Sequence, residues 1–245
     1  MPRSSTTQDF ADRPPWTRPG FIASAAFVLI IVIAAVVLAI TARGDDHTDA
    51  TSTPGTTSTE EAETPPELPT TVPTTPPAGV RWELVGQTAV PVSSTAGPTR
   101  VSGGTAAGYA HTPDGALIAA AQLMIRSAPS AGRDCWEPTV KDQFVSSTDR
   151  EQLLAALRAN PDDSSEPGEL SQIAGYQYQS YTPDTAVIGL VLRAPSAGMP
   201  RYHVLTLTLL WRDDDWRMQA PPGGAWISLN RVTSDLTGVV EWGAR

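Results

Sequence analysis

The sequence predicts an α+β domain carried behind a single membrane-spanning helix and a disordered stalk, and three observations predict it. Residues 21–40 carry no charge. Residues 45–79 are almost devoid of large apolar side chains. Beyond residue 80, hydrophobic spacing runs first at the period of a helix and then, from Ile173, at the period of a strand. These shifts divide the chain into a cytoplasmic tail (1–20), a transmembrane helix (21–40), a disordered Thr/Pro/acidic linker (41–79) and an extracytoplasmic α+β domain (80–245).

The span, Phe21 to Ile40, holds thirteen Phe, Ile, Leu or Val residues, six Ala and one Ser. At 1.5 Å per helical residue its length is ~30 Å, the thickness of bilayer hydrocarbon. Arg3, Arg13 and Arg18 precede it, whereas only Arg43 follows before an acidic run, so the positive-inside bias places the N-terminus in the cytoplasm. Twenty apolar residues exceed the 7–15 of a signal-peptide core, which favours a retained anchor over a cleaved leader. The predicted location is the plasma membrane, single-pass. The 45–79 segment contains eleven Thr, seven Pro and seven acids and no Lys or Arg. It buries too little surface to offset backbone entropy and reads as an extended spacer.

Within the domain, Arg81–Val85 predicts a short strand, and a Gly/Ser/Pro/Thr loop runs on to Gly108. Thr112-Pro113-Asp114 then starts a helix: Thr at the N-cap, Pro at N1 and an acid in the first turn. Leu117, Ala120, Ala121, Met124 and Ile125 supply its apolar face. A second helix is predicted over Pro138–Val145, and a capping box beginning at Thr148 opens a third. Three strands follow, Ile173–Tyr181, Thr185–Arg193 and Tyr202–Trp211, the last turning through Arg212–Asp215 into Trp216–Met218. Trp226-Ile227 predicts a short edge strand, and Thr233 or Ser234 the cap of a helical turn. Helices followed by an antiparallel sheet match the order of an NTF2-like cone, with about three helices on a curved sheet.

Charge excludes one class of function. The net charge is −9, and residues 80–245 hold 17 acids against 13 bases, so no basic stripe exists to engage phosphates and no direct nucleic-acid binding is expected. The lone thiol, Cys135, forms no intrachain disulfide. His47, His111 and His203 are scattered, and neither a nucleophile motif nor a phosphate-binding loop is present. Asp114, Asp184 and His203 are candidates for acid/base work only if the fold brings them to one pocket. Asp213, Asp214 and Asp215 fit a solvated turn better than a calcium loop. No catalytic residue, metal or cofactor is therefore assigned, and the domain is read as non-enzymatic. The aromatic residues carry more information, because six of seven tryptophans fall after residue 80. Exposed tryptophan is costly, so core packing is the favoured role for the Trp211/Trp216 pair flanking the hairpin turn, with a partner patch as the other reading. Trp211, Trp216, Trp136, Tyr176 and Tyr178 are the candidate ligand or partner contacts.

The run Gly108–Ala116, the Trp211/Trp216 hairpin and the terminal Val240-Glu241-Trp242-Gly243 resemble a family of uncharacterised actinobacterial membrane-anchored proteins associated with conjugative and integrative elements. The layout of tail, span, stalk and outer domain is similar to VirB8/TcpC-like subunits of type IV secretion and conjugation channels. That resemblance implies a non-catalytic assembly subunit, with other membrane or secretion-channel proteins and further copies of itself as partners. The alternative reading is an extracytoplasmic small-ligand or cell-wall binding module, with a small NTF2-like enzyme behind it. An open, aromatic-lined cavity would favour the binding module.

Overall fold

A computed structural model describes residues 68–160, 171–195 and 199–244, all of which lie in one compact unit, Thr64–Arg245. A second unit, Met1–Glu63, lies outside the described residues. The organising element is helix α1, Pro113–Arg126, which begins as its sequence predicts: the Thr112 hydroxyl accepts the Gly115 N–H, and Pro113 occupies the first turn. Every residue of α1 except Asp114 is buried, so the helix is enclosed on all sides rather than laid on a surface. Ala116, Ala119, Ala120 and Ala121, all at 0% exposure, let its neighbours approach closely.

On one side of α1 lies an open sheet of six strands: β5 (Gln172–Thr182), β6 (Thr185–Ala194), β7 (Arg201–Arg212), β8 (Asp215–Met218), β9 (Asn230–Thr233) and β10 (Val240–Glu241). All its ladders are antiparallel, in the order β10-β5-β6-β7-β8. Strand β9 pairs with Tyr202–Leu205, so it shares the outer edge of β7 with β8, which pairs with Leu209–Arg212. The inner face, Tyr176, Ile188, Leu190, Leu205, Leu207, Leu209 and Met218, forms the core with α1. Two hairpins lie outside this sheet: β1 (Val80–Val85) with β2 (Thr88–Ser93), and β3 (Arg100–Ser102) with β4 (Thr105–Ala107). Helices α2 (Arg133–Gln143) and α3 (Thr148–Ala159) complete the domain.

Several predicted elements change. The loop expected between Val85 and Gly108 contains β2, β3 and β4, short strands whose pairing is local. Helix α2 starts five residues before Pro138, which lies inside it. The cap of α3 is Ser147, not Thr148, its hydroxyl accepting the Arg150 N–H. Trp226–Leu229 is a 3-10 turn, residues 230–233 form β9, and the helical turn expected after Thr233 or Ser234 is not formed, the chain running through a non-helical turn to β10.

The cone is also corrected: the sheet is open, neither curved nor closed as expected, because β8 and β9 divide one edge of β7 while the far edge of β5 carries only the two-residue β10. The single-pass topology is corrected as well. Among the described residues no helix is long and apolar enough to cross a membrane. Helix α1 has 14 residues, short of the ~20 a bilayer requires. The predicted span at 21–40 lies outside the described residues, as does the linker up to residue 67.

Candidate functional site

Aromatic side chains form a continuous row of rings across the domain. Beginning at β1, Trp82 meets Trp242 with ring centroids 5.1 Å apart, Trp242 meets Tyr176 at 5.6 Å, and Tyr176 meets Tyr178 at 5.9 Å. The row continues through Tyr181 at 6.3 Å and Trp216 at 6.1 Å to Trp211 at 5.4 Å. His111 stacks flat on Trp211 at 3.9 Å and 4°. Most of these pairs are edge-on or tilted, the arrangement favoured by the ring quadrupole. Alternation along β5 explains the central part: Tyr176 and Tyr178 face inward two residues apart, and a register shift between Tyr178 and Ser180 brings Tyr181 onto the same face.

Four of the five candidate contacts, Trp211, Trp216, Tyr176 and Tyr178, belong to this row. Trp216 and Tyr176 are fully buried, and the Trp216 indole donates to the Ala110 carbonyl, so the hairpin places Trp216 in the core. Trp136 is separate, fully buried on α2 with the Arg133 guanidinium 6.0 Å from its ring. The acid/base candidates do not form one cluster. His203 pairs with Asn230 on β9, the backbone carbonyl of Asp184 accepts from Trp211, and Asp114 lies near Tyr176 and Tyr178. Among the described residues no group of three His, Cys, Asp or Glu is arranged to hold a metal.

At its Trp82 end the row opens to solvent. A groove of 420 Å³ is lined by Trp82, Tyr202 and Trp242, with Arg193 and Glu241 bringing opposite charges to it. Three elements distant in sequence build this groove. Trp82 comes from β1, whose hairpin with β2 the Gln172 side chain links to β5: its amide donates to the Gln87 carbonyl in the turn and its carbonyl accepts the Ala89 N–H on β2. Tyr202 and Arg193 face each other in the β6–β7 ladder. Trp242 follows β10 and is held by its own N–H to the Ala174 carbonyl. Of these residues, Trp242 sat in the terminal motif and Trp82 in the first predicted strand. Their proximity depends on the pairing of β10 with β5, which no local pattern announces.

Along one wall of the row runs a Pro/Thr strap, residues 68–79. The strap includes neither helix nor strand, and among the described residues no backbone–backbone hydrogen bond ties it to the domain. Its attachment is through side chains. The Tyr176 hydroxyl donates to the Thr75 carbonyl at 2.8 Å, Pro76 and Pro77 line the 420 Å³ groove, and Pro69 and Pro73 line a second hollow of 550 Å³ with Thr112 and Asp114. Burial raises the Asp114 carboxyl above the usual aspartate range. Burial, reinforced by Asp114, pushes Tyr176 up to about 12, and the same two causes raise Tyr178, which donates to the Pro113 carbonyl. Both phenols are therefore neutral donors near neutrality. A larger hollow of 930 Å³ beside Met199 and Val232 has no aromatic lining.

Residues 44–241 match a family described as a domain of unknown function, DUF8175. No curated protein and no solved structure matches the chain. The family description assigns no link to conjugation or secretion. With no membrane-crossing helix among the described residues, the reading as a membrane-anchored actinobacterial, VirB8/TcpC-like assembly subunit at the plasma membrane is not supported.

Proposed function

We propose that this chain, which belongs to the DUF8175 family, is a non-catalytic binding module whose ligand enters the groove between Trp82, Tyr202 and Trp242. The observation that carries the reading is the groove itself. Its 420 Å³ falls within the range of small-ligand sites, and its apolar rings stand beside a few charged groups that would orient a bound molecule. Arg193 and Glu241 offer one donor array and one acceptor, suiting a ligand that is neutral or zwitterionic. Of the remaining aromatic row, Tyr176 and Trp216 are buried and the other rings half-buried, and Tyr176 supports the groove from behind in edge contact with Trp242.

The test is titration of the full chain with indole and with an N-acetylglucosamine disaccharide, followed by NMR of the tryptophan indole N–H signals. Saturable shifts are expected at Trp82 and Trp242, with Trp136 and Trp216 unmoved. Shifts that stay linear with concentration, or spread equally over all indoles, would defeat the reading.

A further inference from the structure

We infer that the groove and the adjoining face of the aromatic row form a receptor for proline- and threonine-rich extended segments, and that residues 69–77 are a resident, displaceable ligand. The inference rests on the groove being a binding site and names the class of its ligand.

Four observations point to this class. First, the strap contributes prolines to the walls of two hollows: Pro76 and Pro77 line the groove together with Trp82 and Trp242, and Pro69 and Pro73 line the second hollow, whose other walls include Thr95, Thr112 and Asp114. Second, a buried phenol donates to a strap carbonyl, from Tyr176 to Thr75. Aromatic surfaces that receive proline rings, together with side-chain donors that read the exposed carbonyls, are how proteins recognise extended proline-rich chains, whose low entropy makes them inexpensive to bind. Third, the strap is superficial. Val72, Pro73 and Pro77 are half-buried, Thr74, Thr75 and Pro76 are exposed, and no ladder fastens the backbone. Fourth, the strap repeats Pro-Thr-Thr at 69–71 and 73–75, so one register of contacts is offered more than once. It joins β1 through Gly79, at φ 67° with open space around its α-carbon, a joint that can swing without a clash. A segment from another protein with the same composition would take the place of the strap.

A cis segment held over nine-tenths of the time weakens any competitor about tenfold, since only the open fraction binds. The experiment uses the full chain and a full-length variant with Pro73→Ser, Pro76→Ser and Pro77→Ser, with a fluorescent peptide of the sequence of residues 68–79 as probe. The variant is expected to bind the peptide at least about tenfold more tightly than the native chain. Adding Tyr176→Phe, which removes only the hydroxyl donor, is expected to weaken that binding about fivefold. A peptide with every proline replaced by serine is expected not to bind. Equal, weak binding of the peptide by both chains would overturn the inference. Indole, titrated into the same samples, separates the two levels. If it binds at Trp82 and Trp242 while the peptide does not, the proline-segment receptor falls and the binding module stands. If neither binds, both fall.

Discussion

Replacing Asp215 with alanine tests the joint that holds the row's far end. Its carboxylate is 4% exposed and accepts three backbone N–H groups: Gly108 at 2.8 Å, and Tyr109 and Trp216 at 3.0 Å each. One side chain at the tip of the β7–β8 hairpin thus fixes the loop that precedes α1. The Trp216 indole adds a second tie by donating to Ala110, and His111 then lies flat on Trp211. In Asp215→Ala the Tyr109 and Trp216 amides lose a buried acceptor, at ~1–3 kcal/mol each, while the partly exposed Gly108 amide regains water. Removing the carboxylate also removes its own desolvation penalty, which keeps the net loss to about 2–4 kcal/mol. At roughly 2–4 °C per kcal/mol for a domain of this size, Tm falls by about 4–16 °C. Asp215→Asn keeps one acceptor oxygen and should lie between native and alanine. Urea unfolding followed by tryptophan fluorescence gives the difference by linear extrapolation. The neighbouring Asp214, exposed at φ 55°, is the control, and Asp214→Gly should be neutral or slightly stabilising. An Asp215→Ala protein as stable as the native one would refute the assignment of this carboxylate as an anchor.

Three further outcomes follow from buried polar groups. Arg126, 7% exposed, donates to the Gln122 side chain and the Gly104 carbonyl, so Arg126→Met should cost about 1–3 kcal/mol in the same unfolding assay by leaving the Gln122 oxygen unpaired and the Gly104 carbonyl with only the weak Cys135 thiol donor. Cys135 is buried against Gly104 and Arg126, and burial pushes its thiol up against the opposing pull of the guanidinium. A thiol reagent should therefore label it at neutral pH only once urea unfolds the chain. Asp114 has its carboxyl raised by burial, so the folded state holds the proton more tightly than the unfolded one. Its contribution to stability then falls as pH rises from the ordinary aspartate value of 3.8 through the folded value. The stability difference between native protein and Asp114→Asn should move against the native protein across that window, and a difference independent of pH would show that Asp114 is not desolvated.

What the sequence determined by itself was local. The Thr112 cap and Pro113 start of α1, strands β5 to β7 and the β7–β8 hairpin all follow from capping chemistry, periodicity and turn residues within a dozen positions of one another. The same reasoning went astray where the deciding interaction was distant. Asp215 looked like the third acid of a solvated turn, yet it is buried because its partners lie about a hundred residues earlier. Trp216 fitted core packing better than a partner patch by its place beside the turn, and it is the distant 108–111 loop covering it that makes it core. An expected cone on a curved sheet became an open sheet because β8 and β9 share one edge of β7, a choice made by the chain's return from Gln219 to Asn230 rather than by either strand's composition. The groove is the furthest case. Trp82 and Trp242 are separated by most of the domain, and only the pairing of β10 with β5, together with the Gln172 bridge to the β1–β2 hairpin, brings them within ring contact. Periodicity reports which face of an element is apolar. Which elements share an edge, and so which rings meet, is decided only when the whole chain has packed.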